Sequence, residues 1–152
     1  MYFLHGIDYI INGGFVLNIE LNDDNGSMII EKIILCAMKD YYNSLKAKPE
    51  PAHRPIINGR KMGRHVMTDK EYESFLARRE INRKKLLNET TKFFRSNWFK
   101  TLSHIDGELL MQALEFRRDH GLPFTPHEHM SKSERELERE FACKFKGLYT
   151  YV

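Results

Sequence analysis

The sequence predicts an α+β fold that is mainly helical, with an N-terminal β-hairpin packed on a helix and three or four further helices. Two alternating apolar runs meet at an Asn-Gly turn near the start of the chain, and several later segments repeat apolar residues at helical spacing. The chain has 152 residues, of which 41% are hydrophobic and 30% charged. That size and composition are typical of one globular domain, so we expect a single domain over residues 1–152.

The hairpin is predicted at residues 7–21. Asn12-Gly13 lies between the two alternating runs, and this dipeptide favours the positive φ angles that a tight hairpin turn requires. Because an isolated hairpin is only marginally stable in water, we expect it to pack on the first helix. That helix is predicted to start with Ser27 as its N-cap and to carry paired apolar residues as far as Leu45.

Prolines interrupt the chain after the first helix. Three of them within seven residues exclude a continuous helix there. The stretch at residues 55–64, which contains two glycines, is predicted to form either a short hairpin or an exposed basic loop. We place an internal boundary near residues 47–66, between a hairpin-plus-helix unit (1–46) and a helical part (67–152). Such a boundary need not separate independent domains.

Three further helices follow, and each has a recognisable start. A capping box at Thr68–Glu71 begins a long helix that runs to about Asn97, and a short turn comes after it. Asp106 caps the next helix, whose stripe of inward positions includes Arg117. The last helix begins near Ser131, where serines have glutamates three residues later.

Charge is unevenly distributed along the chain. Residues 1–45 contain two Lys/Arg and six Asp/Glu, residues 46–100 contain fifteen and six, and residues 101–152 contain seven and nine. The three parts therefore carry −4, +9 and −2, within a total of +3. A strongly basic middle indicates a polyanionic partner, either nucleic acid or an acidic protein surface. The alternative is that the acidic ends fold against the middle and neutralise it.

The basic middle supplies the candidate contact residues for nucleic acid or another partner. A glycine-containing loop and one face of the long helix carry its cations, and aromatic residues that could stack on bases follow. The predicted contact residues are Arg54, Arg60, Lys61, Arg64, Arg78, Arg79, Arg83, Lys84, Lys85, Lys92, Arg95 and Trp98.

The sequence contains few of the motifs that a catalytic function requires. No GxGxxG, P-loop, GxSxG or HExxH motif occurs. His120, His127 and His129 are the candidate metal ligands, but their spacing matches no known signature. Cys36 and Cys143 form no CxxC motif and are predicted to be packed thiols rather than nucleophiles. We therefore expect no cofactor and no enzymatic activity.

One segment resembles parts of small accessory proteins of bacteriophages and prophages. The segment Lys92 to Arg118 contains a Phe-Phe-x-Ser-x-Trp run, then Ile-Asp-Gly-Glu and two leucines. The resemblance covers 27 of 152 residues. It implies a mobile-element origin, and such proteins include regulators, DNA-binding accessories and antagonists of host defence such as anti-CRISPR proteins. It supplies no catalytic residue.

The sequence thus favours a non-catalytic binding protein whose basic middle contacts nucleic acid or a nucleic-acid-handling host complex. An alternative is an inhibitor that docks on a host-defence nuclease without touching nucleic acid, with Trp98, Tyr72 or Phe124 as its hot spot. A second alternative is a metal-dependent enzyme that uses the histidines. We expect a cytoplasmic protein, because no signal peptide or apolar run of membrane-spanning length is present. If it is phage-encoded, as the resemblance implies, that cytoplasm is the bacterial host's. We expect no membrane partner and no small-molecule substrate.

Overall fold

Helices dominate the part of the chain that the computed structural model describes, which is residues 26–103 and 105–148. An antiparallel two-stranded hairpin separates the first helix from the others. In chain order the elements are α1 (Gly26–Ser44), β1 (Ile56–Gly59), β2 (Gly63–Val66), α2 (Asp69–Arg95), α3 (Asn97–Ser103), α4 (Gly107–Asp119), α5 (Lys132–Lys144) and a single 3-10 turn (Lys146–Leu148).

The predicted fold class, α+β and mainly helical, is confirmed. The observed hairpin, at residues 56–66, occupies the stretch for which the sequence left a hairpin or a basic loop open. The hairpin predicted at residues 7–21 lies outside the described residues. Helix α1 begins at Gly26, one residue before the predicted N-cap.

The helix starts follow from side-chain capping, as predicted. Oγ1 of Thr68 accepts a hydrogen bond from the Glu71 amide at 3.4 Å, and the Glu71 carboxylate accepts from the Thr68 amide at 2.9 Å. Ser131 and Glu134 repeat this reciprocal pair at the start of α5. The Asp106 carboxylate caps α4 by accepting from two backbone amides. Each cap satisfies amides that have no partner within the helix.

Helix α1 packs on α2 and α4, and the side chains between them form one core. Helices from both sides of the boundary near residues 47–66 contribute to it. The buried apolar residues are Ile34, Met38, Tyr41, Tyr42, Phe94, Phe99, Leu110, Met111, Ala113, Leu114, Phe116, Leu122, Phe141, Phe145 and Leu148.

The apolar stripe predicted for α1 is wider than the face that its neighbours bury. Ile34 is fully buried, whereas Ile29 in the same stripe is 63% exposed. The predicted partner of α1, the strands at residues 7–21, lies outside the described residues. The prediction that Cys36 and Cys143 are packed thiols is wrong, because both side chains are exposed. Each lies beside its helix's apolar stripe rather than within it.

Two tyrosines on α1 make polar contacts at the edge of the core. The Tyr41 hydroxyl donates to Oε1 of Glu115 at 2.6 Å, and the Tyr42 hydroxyl donates to the Leu122 carbonyl at 2.5 Å. Burial and the neighbouring Glu115 carboxylate raise the pKa of Tyr41 well above its usual value. Both contacts join α1 to α4 and the turn that follows α4.

A buried ion pair joins α4 to α5. Two guanidinium nitrogens of Arg117 donate to the two carboxylate oxygens of Glu138, each at 2.8 Å. The Nε atom donates to the Pro123 carbonyl at 2.9 Å, and the guanidinium lies 5.0 Å from the ring centre of Phe141. The Arg117 side chain is fully buried. Its charge is thus compensated in place by one carboxylate and one carbonyl.

Gly107 marks the closest approach of α2 and α4. A Cβ atom at this position would lie 2.0 Å from the backbone oxygen of Phe94, a distance that no packed structure accommodates without movement. We expect Gly107→Ala to destabilise the protein by about 1–3 kcal/mol, because the start of α4 would have to move away from α2. Urea unfolding measures this loss, with exposed Gln112→Ala on the same helix as the control. Equal stability of the two variants would contradict the packing.

Candidate functional site

The hairpin carries its basic residues at and near the tip. Gly59 pairs with Gly63, so the three residues Arg60–Met62 form the connection. Gly63 has a φ of +63°, a left-handed conformation that glycine adopts without the strain a side chain would bring. Arg60, Lys61 and Met62 are all exposed, and Met62 keeps 63% of its surface in water. The turn thus presents two cations and one apolar side chain.

The two faces of the hairpin differ. Side chains alternate along a strand, and the cross-strand pairs Ile56–Val66 and Asn58–Arg64 share one face. All four of these side chains are exposed. On the opposite face, Ile57 and His65 are partly buried. One face therefore points away from the rest of the described chain, with an arginine and an asparagine side by side.

The opposite face is fastened to the first turn of α2. His65 Nε2 donates to the Glu71 carboxylate at 3.0 Å, and its Nδ1 faces the Gly63 carbonyl at 3.0 Å. The Arg54 guanidinium pairs with the Asp69 carboxylate at 2.5 Å and lies 5.1 Å from the ring centre of Tyr72. These contacts hold the base of the hairpin while its tip stays exposed.

The His65–Glu71 contact makes this attachment pH-dependent. The Gly63 carbonyl and the Glu71 carboxylate both favour the imidazolium, so they raise the pKa of His65 above 6.5. Hydrogen bonds from Thr68 and His65 lower the pKa of Glu71 from 4.5 to about 2. The raised pKa of His65 contributes stability that is complete below pH 6.5 and is lost as the pH rises through the His65 pKa of the folded protein. The lowered pKa of Glu71 contributes stability that is complete above pH 4.5 and is lost as the pH falls toward 2.

We therefore expect the attachment to be strongest between about pH 4.5 and 6.5. The urea midpoint of the wild type should exceed that of His65→Gln by more at pH 5.5 than at pH 8.5. An NMR titration of the His65 ring should give a pKa above 6.5, and Glu71→Gln should lower it. A pKa that does not respond to Glu71→Gln would contradict the contact.

Helix α2 carries a stripe of exposed residues on its outer side. Residues spaced three or four apart lie on one helix face, and the members of the stripe have this spacing. The stripe is about 21 Å long. Ile81, in the stripe, is 64% exposed. We call this set the outer stripe, and its members are Arg78, Ile81, Lys85, Asn88 and Lys92.

Several predicted contact cations have carboxylate partners close by. Glu80 accepts from Arg83 and also lies 3.6 Å from the Lys84 ammonium. The Lys85 ammonium lies 3.8 Å from the Glu89 carboxylate, so this ion pair is weak. Arg54 pairs with Asp69, as above, and Arg95 pairs with Glu108 at the start of α4. Of these pairs, only Arg95–Glu108 joins the basic middle to an acidic residue of the C-terminal third.

Two of the predicted contact arginines tie α2 to the end of α1 and the segment beyond it. Arg83 donates to the Ser44 carbonyl at 2.6 Å and makes two hydrogen bonds to Glu80. Arg79 donates to the Pro49 carbonyl at 3.3 Å and lies 5.5 Å from the ring centre of Phe75. Their guanidinium groups are thus engaged in internal contacts, unlike those on the outer stripe.

Five of the predicted contact cations are exposed and have no ion-pair partner within residues 26–103 and 105–148, and Arg79 also has none but is partly buried. The five exposed cations fall on the hairpin and on the outer stripe of α2. No Asp or Glu occurs anywhere between Pro51 and Thr68, so the hairpin has no acidic neighbour in sequence. The five are Arg60, Lys61, Arg64, Arg78 and Lys92.

The aromatic residues after the basic helix divide between core and surface. Phe94 and Phe99 are fully buried, and their rings meet edge to face at 5.2 Å. Trp98 is 51% exposed, and its ring and that of Phe93 meet edge to face at 5.5 Å. Of these four aromatic residues, only Trp98 is exposed. The segment that carries the phage resemblance is therefore largely a core-forming segment.

The three candidate metal-ligating histidines do not converge. His120 stacks on Phe116, and its Nδ1 faces the Phe116 carbonyl at 2.8 Å. His127 lies 3.9 Å from the Glu134 carboxylate, and His129 is exposed. Across the described residues, no three His, Cys, Asp or Glu side chains are arranged to hold a metal ion. The geometry gives the metal-dependent alternative no support.

No family model, no curated protein and no solved structure matches this chain. None of the helices in the described part of the chain is both long and apolar enough to cross a membrane.

Two features of the surface were not singled out in the sequence. Asn58 lies within strand β1, and its cross-strand partner is Arg64. Ile81 is an apolar residue at an exposed position. The only sequence signal for it is its spacing of three and four residues from Arg78 and Lys85, which places it on the outer stripe. Exposed guanidinium and ammonium groups without carboxylate partners can bind phosphate, and Asn58 adds a neutral donor and acceptor beside them.

Proposed function

We propose that the protein binds nucleic acid, without catalysis, through the hairpin and the outer stripe of α2. The observation that carries the proposal is the grouping of five exposed cations on the hairpin and the outer stripe, none of which has an ion-pair partner among the described residues. A phosphate that meets such a cation displaces only water and counterions, and the release of counterions from the nucleic acid drives binding.

The paired lysines on α2 can add to this surface. Lys84 and Lys85 are about 70% exposed, and their carboxylate contacts are 3.6 and 3.8 Å long. Exposed pairs of this kind are worth at most about 1 kcal/mol, so a phosphate can replace the carboxylate at small cost. Arg83 differs, because one of its hydrogen bonds joins α2 to the end of α1 and two bind Glu80 within the same helix.

The resemblance of residues 92–118 to phage accessory proteins suggests the biological setting in which the protein would bind nucleic acid. In that setting the protein is an accessory factor of a mobile element and acts in the cytoplasm of a bacterial host. Phe94 and Phe99 of this segment are buried in the core, so we place the contact surface on the hairpin and the outer stripe of α2.

One observation favours a second function, that of an inhibitor docking on a nucleic-acid-handling host protein. Ile81 lies among the cations of the outer stripe and is exposed, and exposed Ile56, Val66 and Met62 add apolar surface on the hairpin. Apolar side chains surrounded by charged ones are typical of protein interfaces. An anti-CRISPR-like protein that blocks a host nuclease would use such a surface.

Fluorescence anisotropy with labelled DNA and RNA, as duplexes and single strands, tests the proposal. We expect micromolar or tighter binding at 50 mM salt that weakens steeply toward 200 mM, as phosphate contacts require. Ile81→Ser should leave this affinity within about twofold, because an isoleucine makes no phosphate contact. Absence of binding to every nucleic acid at low salt would contradict the proposal and favour the inhibitor.

A further inference from the structure

We propose that the hairpin at residues 56–66 reads base sequence in the major groove of duplex DNA, through Asn58 and Arg64. This inference rests on the proposed nucleic-acid binding and goes beyond it, because it names the kind of nucleic acid and the side chains that contact bases. Its basis is the juxtaposition of Asn58 and Arg64 as a cross-strand pair on the exposed face of the hairpin.

The dimensions of the hairpin suit that groove. Each strand has four residues, so the ribbon is about 13 Å long, and its strands lie about 4.8 Å apart. The major groove of B-form DNA is about 12 Å wide and admits a two-stranded ribbon, whereas the minor groove is about 6 Å wide. In duplex RNA the major groove is deep and narrow and side chains cannot read it. The shape therefore favours duplex DNA.

The chemistry of the pair matches base edges. An arginine can donate two hydrogen bonds to O6 and N7 of guanine, and an asparagine can bond N6 and N7 of adenine. Paired residues on adjacent strands have Cβ atoms about 4.5–5.5 Å apart, which places the two side chains over neighbouring base pairs. Neither Asn58 nor Arg64 has a side-chain partner within the described chain, so both are available.

The residues around Asn58 and Arg64 would supply the remaining contacts with the DNA. Arg60 and Lys61 at the tip reach phosphates on either side of the groove, and Met62 presents an apolar group that can meet a thymine methyl. Base readout needs a support that does not move. The attachments of His65 to Glu71 and of Arg54 to Asp69 fix the hairpin relative to α2.

Selection from a random duplex DNA library, followed by anisotropy on the enriched duplex and a scrambled one, tests the inference. We expect an enriched sequence that contains guanine beside adenine. Arg64→Ala and Asn58→Ala should each weaken binding to the enriched duplex by about 5- to 150-fold and the scrambled duplex far less, the range expected for a bidentate base contact. The matched control is Lys92→Ala, which should weaken both duplexes equally and lower the salt slope by about one.

The outcomes separate this inference from the function on which it rests. If the wild type binds duplex DNA but enriches no sequence, base readout is wrong and phosphate binding stands. If Arg64→Ala weakens both duplexes equally, Arg64 contacts phosphate and the inference fails. If the protein binds no nucleic acid, both proposals fail. Circular dichroism of each variant establishes that the helices are intact.

Discussion

Glu138→Leu is expected to lower the free energy of unfolding by about 3–5 kcal/mol. The substitution removes the carboxylate that pairs with the fully buried Arg117 guanidinium, whose other contacts include the Pro123 carbonyl and the Phe141 ring. Removing one member of a buried ion pair costs several kilocalories per mole, because the remaining charge loses its carboxylate and is not solvated by water. Urea unfolding, followed by circular dichroism at neutral pH, measures the loss.

A double variant separates the cost of the stranded charge from the cost of losing Glu138 itself. Arg117→Met/Glu138→Leu removes both charges and keeps similar volume, so it should recover most of the loss. Glu136→Leu, on the exposed side of the same helix, should change stability by less than about 0.5 kcal/mol. If the single and double variants of the pair were equally unstable, burial of the charge would not be the cause.

Reversal of the unpaired charges on the outer stripe should strongly weaken binding to any duplex, whatever its sequence. We expect Arg78→Glu/Lys92→Glu to weaken duplex binding roughly 10- to 100-fold at 50 mM salt and to lower the salt slope by about two. Both residues are exposed, and neither pairs with a described carboxylate, so the fold should not change. Salt-titrated anisotropy gives both the affinity and the slope.

The matched control for that variant lies on α5. Arg135→Glu/Arg139→Glu makes the same change in net charge at two exposed positions of another helix. It should reduce affinity only by the small amount that a less positive protein shows everywhere. Equal losses in the two variants would mean that net charge, and not the outer stripe, determines binding.

The same experiment ranks the paired and unpaired cations of α2. Lys84→Glu/Lys85→Glu leaves Glu80 and Glu89 beside two new carboxylates, so it adds repulsion within the helix as well as removing cations. A comparison limited to removal of charge is therefore cleaner. Lys84→Gln/Lys85→Gln should cost less affinity than Arg78→Gln/Lys92→Gln, because the two lysines already have partners.

Local chemistry made much of the fold predictable from the sequence. The capping boxes at Thr68 and Ser131 and the cap at Asp106 placed three helix starts, because side-chain caps act over three residues. Gly121, two residues past the end of α4, has a φ of +69°, and a glycine in this conformation is a common helix stop. These features depend only on neighbours in sequence.

Contacts between distant residues were not predictable in the same way. The sequence predicted both Arg83 and Lys92 as contact residues, yet Arg83 bonds the Ser44 carbonyl and Lys92 faces solvent. Arg117 fell on the apolar stripe of α4, but its carboxylate partner lies 21 residues away. Cys36 was predicted to be packed, yet its side chain is exposed. For Arg83 and Arg117, the decisive partner belongs to another element.

An NMR titration of the isotope-labelled protein with an unlabelled DNA duplex tests the central claim most directly, because it locates the contact surface. Backbone amide shifts should change at residues 58–64 and along the outer stripe of α2, and they should stay constant along α5. Changes confined to α5 or to the exposed Ile29 face of α1, or no change at low salt, would contradict the assignment of the hairpin and α2 as the nucleic-acid surface.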